Sequence, residues 1–239
     1  MANSYFRLKQ FTIKQDRCAM KVTTDGCLFG AWVASHSKDI AATNGLDIGA
    51  GTGLLSLMVA QQTGLYLDAV EIDADAAAQT AQNFAESPWA NRLQVHQTDI
   101  QRFIPNKQYD VICSNPPFYE NELASPKRGR SIAHHGSGLR LVELLAQVNR
   151  LLADDGTAYL LFPAKRAADL EAALAAAGLI VQQKIVVHPS ETHPPFRLML
   201  AVKKNSVEQI GEQTVYIKDK GGYYTPAATS LLQDYYLFL

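Results

Sequence analysis

Between residues 45 and 162 short, largely apolar runs alternate with longer stretches that repeat their apolar positions every three to four residues. The runs 45–48, 67–72, 93–96, 109–113 and 159–162 have strand length, and 53–62, 73–86 and 139–152 read as helices. Strands this apolar, each followed by a helix, predict a parallel sheet covered on both faces. The rhythm changes later. An alanine-rich helix over 164–177 ends at Gly178, and two strand-like runs, 180–188 and 196–202, follow with no helix between them. Their connection, Pro189-Ser190-Glu191-Thr192-His193-Pro194-Pro195, cannot be helical throughout, so this pair is expected to be antiparallel. The first 23 residues alternate only loosely, and Asp25 is a candidate N-cap for a helix through the apolar stretch 27–34. With no Ser/Gly linker and no internal repeat, one domain is expected. It comprises an N-terminal extension (1–40), a core (41–205) and a C-terminal extension (206–239).

Composition narrows the class. The chain of 239 residues carries 22 Lys and Arg against 23 Asp and Glu, with 47% hydrophobic residues, which excludes collagen-like, low-complexity and wholly disordered chains. A net charge of -1 supplies no global attraction to nucleic acid or membrane, so an anionic partner requires a local patch. Two segments are locally basic: Arg7, Lys9, Lys14, Arg17 and Lys21 near the start, then Lys127, Arg128 and Arg130 beside His134 and His135. No run approaches the ~20 apolar residues of a membrane span, and residues 1–10 hold no apolar stretch of signal-peptide length. Cys18, Cys27 and Cys113 are odd in number and form no Cys-x-x-Cys, so neither a disulfide framework nor a cysteine zinc site is expected. His134-His135 and His188/His193 lack a third ligand at metal spacing. The expectation is a cytoplasmic protein without a metal, monomeric or weakly dimeric.

The sharpest local signal is Leu46-Asp47-Ile48-Gly49-Ala50-Gly51-Thr52-Gly53, a strand passing through a glycine turn into a helix. Glycines there allow a tight turn and let a ligand lie against the main chain. Glu71 ends the next strand, where a carboxylate can accept from both ribose hydroxyls of a nucleoside. A dinucleotide fingerprint needs a glycine or alanine where this chain has Leu54; here the third glycine falls at Gly53. That spacing lacks the arrangement that brings a pyrophosphate onto a helix N-terminus. It resembles motif I of the class I methyltransferases that use S-adenosylmethionine (SAM). In that class an acid after the third strand accepts from the adenine amino group, with its neighbour packed on the ring. The matching residues are Asp99 and Ile100, and a plain turn-capping aspartate is the alternative.

Asn115-Pro116-Pro117-Phe118 directly follows the run 109–113. An exocyclic amine conjugated to a π-system is a poor nucleophile. The Asn115 amide oxygen and the Pro116 carbonyl can each accept one of its N–H bonds and aim the nitrogen lone pair. Consecutive prolines stiffen the turn, and Phe118 offers a flat face for a base. No strong base is required, because a sulfonium is an activated methyl donor. Together the glycine loop and this motif resemble the amino-methyltransferases of nucleic-acid bases or of protein glutamine.

Further segments narrow the resemblance. Asp16-Arg17-Cys18-Ala19-Met20-Lys21-Val22-Thr23-Thr24-Asp25-Gly26, Gly30-Ala31-Trp32, Ser87-Pro88-Trp89-Ala90, Tyr224-Thr225-Pro226 and Phe238 near the C-terminus are similar to the bacterial tRNA-Val adenine-N6 methyltransferases. That resemblance runs from about Phe11 to the last residue. It implies a doubly wound, mostly parallel seven-stranded α/β sheet of Rossmann type, with a C-terminal antiparallel strand pair. It implies SAM as cofactor, held by Thr24, Asp25, Asp47, Gly49, Gly51, Gly53, Glu71, Asp99 and Ile100. It implies catalysis by Asn115, Pro116, Pro117 and Phe118 on adenine 37 of tRNA. The local charge, not the resemblance, suggests RNA contacts at Arg17, Lys21, Lys127, Arg128 and Arg130, with merely solvated segments as the alternative. The loops 119–138 and 189–195 match the family poorly. An rRNA guanine-N2 or protein-glutamine methyltransferase, and a non-catalytic SAM-dependent RNA-binding module, remain alternatives at this stage.

Overall fold

The computed structural model describes residues 3–38, 43–116, 141–205 and 211–239. An antiparallel hairpin of β1 (Tyr5–Arg7) and β2 (Thr12–Lys14) precedes α1 (Thr24–Ser37). The parallel sheet then begins: β3 (Asn44–Ile48), α2 (Leu54–Gln62), β4 (Tyr66–Glu71), α3 (Ala74–Ala85), β5 (Leu93–Gln97) and β6 (Tyr109–Ser114). After α4 (Leu141–Leu151) come β7 (Leu152–Pro163), α5 (Ala167–Ala176), β8 (Ile180–Ser190), β9 (Arg197–Lys203), β10 (Gly211–Lys218) and α6 (Pro226–Leu232).

The main sheet has the order β10-β8-β9-β7-β6-β3-β4-β5. Strand β9 lies between β7 and β8 and is antiparallel to both, so the late pair has the expected sense. To the seven expected strands β10 adds an eighth, parallel to β8 at the outer edge. The periodicity does not reveal it, because only Val215 and Ile217 are buried while Gly211–Thr214 face solvent. The N-terminal hairpin is likewise an addition to the sequence reading.

Winding in two directions from β3 puts helices on both faces. Residues of α1, α2 and α6 pack on one face with Cys113, Tyr159 and Met199, and those of α4 and α5 pack on the other with Ile112, Leu160 and Leu198. Neighbouring residues of one strand thus serve opposite cores, as the pleat requires. Helix α1 is buried almost all round, which explains why its sequence shows no polar stripe. Trp32 stands edge-on to Tyr159 at 5.3 Å, and Gly30 lets α2 come close: a Cβ there would fall 2.7 Å from Met58 Sδ. The cap of α1 is Thr23, whose Oγ1 accepts from the Gly26 amide at 3.3 Å. The expectation that Asp25 caps it is corrected: Thr23 is the last extended residue, and Asp25 lies in the first turn, where it holds Arg197 instead.

The two chain ends meet beside α1. The Lys9 amide donates to the Tyr235 carbonyl at 2.8 Å, Phe6 packs on Tyr236 with centroids 5.9 Å apart, and the Tyr235 hydroxyl donates to the Met58 carbonyl at 3.0 Å. Among the described residues no helix is long and apolar enough to cross a membrane.

Candidate functional site

Strand order reverses between β3 and β6, the place where an open α/β sheet leaves a crevice at its carboxyl edge. There Ile48 pairs with Ser114, and the Ser114 hydroxyl donates to the Ile48 carbonyl at 2.8 Å. Gly49 and Asn115 are therefore the next residues on adjacent strands, leaving the sheet at one level. Asn115 and Pro116 are half-buried at this edge, whereas Pro117, Phe118, Lys127, Arg128 and Arg130 lie outside the described residues, as do His134 and His135.

The three glycines of the loop are left-handed: φ is 74° at Gly49, 56° at Gly51 and 77° at Gly53. A Cβ on Gly49 or Gly51 would meet nothing within 4 Å, so both border open space. Gly53 differs. A Cβ there would fall 2.7 Å from Phe84 Cε1 and 3.0 Å from Thr80 Cγ2, so this glycine serves the contact of α2 with α3. Ile100 is buried with Val70, Phe103 and Leu144 at the foot of the site.

Glu71, at the end of β4, accepts from the Gly51 amide at 2.8 Å through one oxygen and from the Asp73 amide at 2.9 Å through the other. Each oxygen retains a second acceptor position. The Thr98 amide donates to the Glu71 carbonyl at 3.0 Å, which brings Asp99 to the same edge. Asp99 uses one oxygen to cap a short 3-10 turn at the Gln101 amide, 2.9 Å away, and its other oxygen has no partner among the described residues.

Asp47 is wholly buried under the loop. Its Oδ2 accepts from the Ser56 hydroxyl at 2.8 Å and amide at 3.2 Å. Oδ1 has no N–H or O–H partner among the described residues, and the weak thiol donor of Cys113 faces the carboxylate from β6. Burial pushes its carboxyl up to about 6, partly offset by the two Ser56 bonds. Cys113 itself is held far above the ordinary thiol range by burial and by the Asp47 charge, so it is no nucleophile.

Several supporting residues carry no motif. The side chain of Asn83, on α3, bonds both the amide and the carbonyl of Lys14 at 2.9 Å, and donates to the Thr52 carbonyl at 2.8 Å. Gln79, one turn earlier, accepts from the Arg17 amide at 2.7 Å. The Gly51 carbonyl accepts from Thr80 Oγ1 at 2.7 Å and from the Cys18 thiol at 3.3 Å, and burial raises that thiol to about 11. The N-terminal segment is thus stitched to the glycine loop. Arg17 is exposed along it, while the Lys21 ammonium turns back to the Gln15 carbonyl. Polar residues at the buried positions 79 and 83 of an otherwise amphipathic helix were the available signal. Across the crevice, Asp25 Oδ2 accepts from Arg197 Nε at 2.7 Å, and Thr24 faces the Tyr236 hydroxyl.

These residues fit a SAM-sized cationic nucleoside. Gly49 and Gly51 leave a cradle that a Cβ would fill, and Glu71 offers two acceptors. The carboxylates of Glu71 and Asp47 beside the loop are compatible with a ligand that carries a sulfonium.

Comparison with known proteins agrees with this geometry. Residues 31–174 match the model of the methyltransferase small domain family. A protein of Dyadobacter fermentans named tRNA1(Val) (adenine(37)-N6)-methyltransferase is 41% identical over 98% of each chain. One of the same name in Trichodesmium erythraeum is 40% identical over 99% of each. The chain belongs to this methyltransferase family. Solved structures of lower identity share its fold. A predicted O-methyltransferase from Agrobacterium tumefaciens superposes with a TM-score of 0.67 at 18% identity, covering 86% of this chain and 95% of its own. A glycopeptide N-methyltransferase complexed with SAM gives 0.58 at 13% identity, covering 75% and 94%. The glycine loop, β3 to β7 and α2 to α4 of this methyltransferase all lie within the matched segment.

Proposed function

We propose that this methyltransferase transfers a methyl group from SAM to the exocyclic N6 of adenine 37 in the anticodon loop of a tRNA, tRNA1(Val) by the shared name of its relatives. One observation carries the reading: Gly49 and Asn115 emerge side by side from β3 and β6, so a cofactor-holding turn and an amine-holding turn adjoin. When bound, SAM supplies a methyl group on a positively charged sulfur.

The chain does the rest. The main chain at Gly49 and Gly51 admits the cofactor closely, Glu71 receives its ribose and Asp99 its adenine, with Ile100 alongside. Thr24, Asp25 and Asp47 lie toward its methionine end, and Gly53 keeps the loop on α3. Asn115 and the Pro116 carbonyl each accept one N–H of the target amine and direct its lone pair along the transfer axis. Pro117 stiffens this turn, and Phe118 stacks on the base, which must leave its own stack to arrive there. The amine proton is lost to water after transfer, since a methylated ammonium of this kind is acidic. Arg17, Lys21, Lys127, Arg128 and Arg130 are the proposed RNA-facing cations. Residues 1–40 and 206–239 act as one body with the core, as a cytoplasmic monomer or weak dimer.

The test is transfer from methyl-labelled SAM into fractionated tRNA and rRNA, followed by nucleoside analysis. N6-methyladenosine in a single tRNA species is the expected product; label confined to rRNA or protein overturns the assignment. Asn115→Ala should abolish transfer while SAM binding, measured calorimetrically, persists.

A further inference from the structure

Arg197 stands at the start of β9, opposite Pro163 at the end of β7. Its side chain is one-third exposed on the face that α1 covers. Arginine usually meets a carboxylate through two parallel bonds. Here only Nε is bound, to Asp25 Oδ2 at 2.7 Å, and the guanidinium lies 5.4 Å from the Phe196 ring centroid. Both terminal Nη groups have no protein partner among the described residues. The side chain is therefore fixed at one end and offers four N–H donors at the other. A group of this shape suits the paired oxygens of a phosphate.

Its place in the sheet says whose phosphate. In the order β3-β6-β7-β9, Arg197 is two strands from Asn115 and three from the glycine loop. Inter-strand spacing puts it about 10 Å laterally from the amine-holding turn and about 14 Å from the cofactor turn. Pro163 is three residues beyond Leu160, the partner of Ser114, so Arg197 stands one residue past the level of Pro116 and about 7 Å past that of Asn115, which makes its separation from Asn115 about 12 Å in all. That separation is comparable to the reach from a purine's exocyclic amine to its nucleotide's own phosphate. The same position is too remote from the glycine loop to serve a cofactor's ribose.

We propose that Arg197, oriented by Asp25, binds the backbone phosphate of the target nucleotide or of its immediate neighbour and so sets how deeply the flipped base enters. This rests on the tRNA reading above and assigns a substrate contact outside the basic segments singled out in the sequence.

The experiment compares wild type with Arg197→Gln in SAM-dependent methylation of tRNA across a salt series, with SAM affinity and melting temperature measured in parallel. The expected result is a KM for tRNA raised about tenfold, as for loss of one charge-assisted contact. The log–log salt slope should shrink by roughly 0.7–0.9, the signature of one phosphate. SAM affinity should stay within about twofold, and melting temperature should fall by about 2–8 °C, as for loss of the bond to Asp25. A control at the far edge, Lys184→Gln, removes a cation paired with Glu212 and should leave the slope as it is. An unchanged KM and slope overturns the proposal, as does a parallel loss of SAM affinity or a lowered melting temperature with the slope intact. Should Arg197→Gln not fold, Arg197→Lys decides. Retention of the charge without the fork should raise KM about threefold, and an unchanged KM is again fatal. If wild type itself methylates no tRNA, the functional reading fails; if wild type does and Arg197→Gln matches it, only this proposal fails.

Discussion

Replacing Asp47 with asparagine tests the electrostatics under the glycine loop. The carboxylate is fully buried, with Oδ2 bonded twice by Ser56 and Oδ1 left without an N–H or O–H donor among the described residues, and burial lifts its pKa from 3.8 to about 6. A carboxyl raised on folding favours the native state while it is protonated, at pH below the unfolded value. That advantage disappears as pH rises through the folded one. The move from 3.8 to about 6 corresponds to about 3 kcal/mol in total, of which about 2 kcal/mol falls between pH 4.5 and pH 8. Asparagine keeps the shape and can still accept from Ser56, but its amide brings a donor to the Oδ1 position. The cost of that donor, about 1–3 kcal/mol, does not depend on pH and cancels in a difference of differences. Urea unfolding of ligand-free wild type and Asp47→Asn at pH 4.5 and pH 8 measures it. The variant should gain on wild type by about 2 kcal/mol between the two values. A variant whose stability runs parallel to that of wild type across this interval would refute the raised pKa and the dry environment from which it follows.

The glycines of the loop should separate by function. Gly49→Ala carries only the left-handed strain of about 1–2 kcal/mol but places a methyl in the cradle, so SAM binding should fall by more than tenfold with modest loss of melting temperature. Gly53→Ala adds about 1–3 kcal/mol of overpacking against Phe84 to the same strain, and should be the less stable of the two on urea unfolding. Asn83→Ala removes three bonds between β2, the glycine loop and α3. It should cost about 2–4 kcal/mol and open Lys14 and Arg17 to trypsin, so an unchanged cleavage rate there would count against the stitching described above. For Asp68, burial alone would raise the carboxyl, but hydrogen bonds from His96, Tyr109 and Lys107 override it and hold it low. Its contribution is therefore present above the unfolded carboxylate range and lost as pH falls below about 4. Asp68→Asn should flatten the acid limb of the stability curve, measured by thermal unfolding from pH 3 to pH 6.

Much of this was legible because the crevice is built from local turns. The run from Leu46 to Gly53 carries its own backbone conformation in three glycines, and Glu71 and Asn115 sit at strand ends that apolar runs mark plainly. The antiparallel sense of β8 and β9 followed from prolines in a short connection. Strand β10 escaped because an edge strand buries so few side chains that its alternation fades. The role of Asp25 escaped because its partner, Arg197, stands near the other end of the chain, and no local rule distinguishes an N-cap from an ion pair just inside the helix. Asn83 and Gln79 were invisible for a similar reason: their meaning lies in the backbone of residues 14 and 17.

The meeting of Lys9 with Tyr235 has a consequence in time. At a synthesis rate of about 5–20 residues per second, the hairpin waits roughly 10–45 s for the segment that anchors it beside α1. A nascent chain can already form β3, its glycine turn and β6 while residues 224–236 are still unmade. Until they arrive, the strand that Asn83 ties to the glycine loop lacks its outer support, and Phe6 stays uncovered. The segment translated first is therefore secured last.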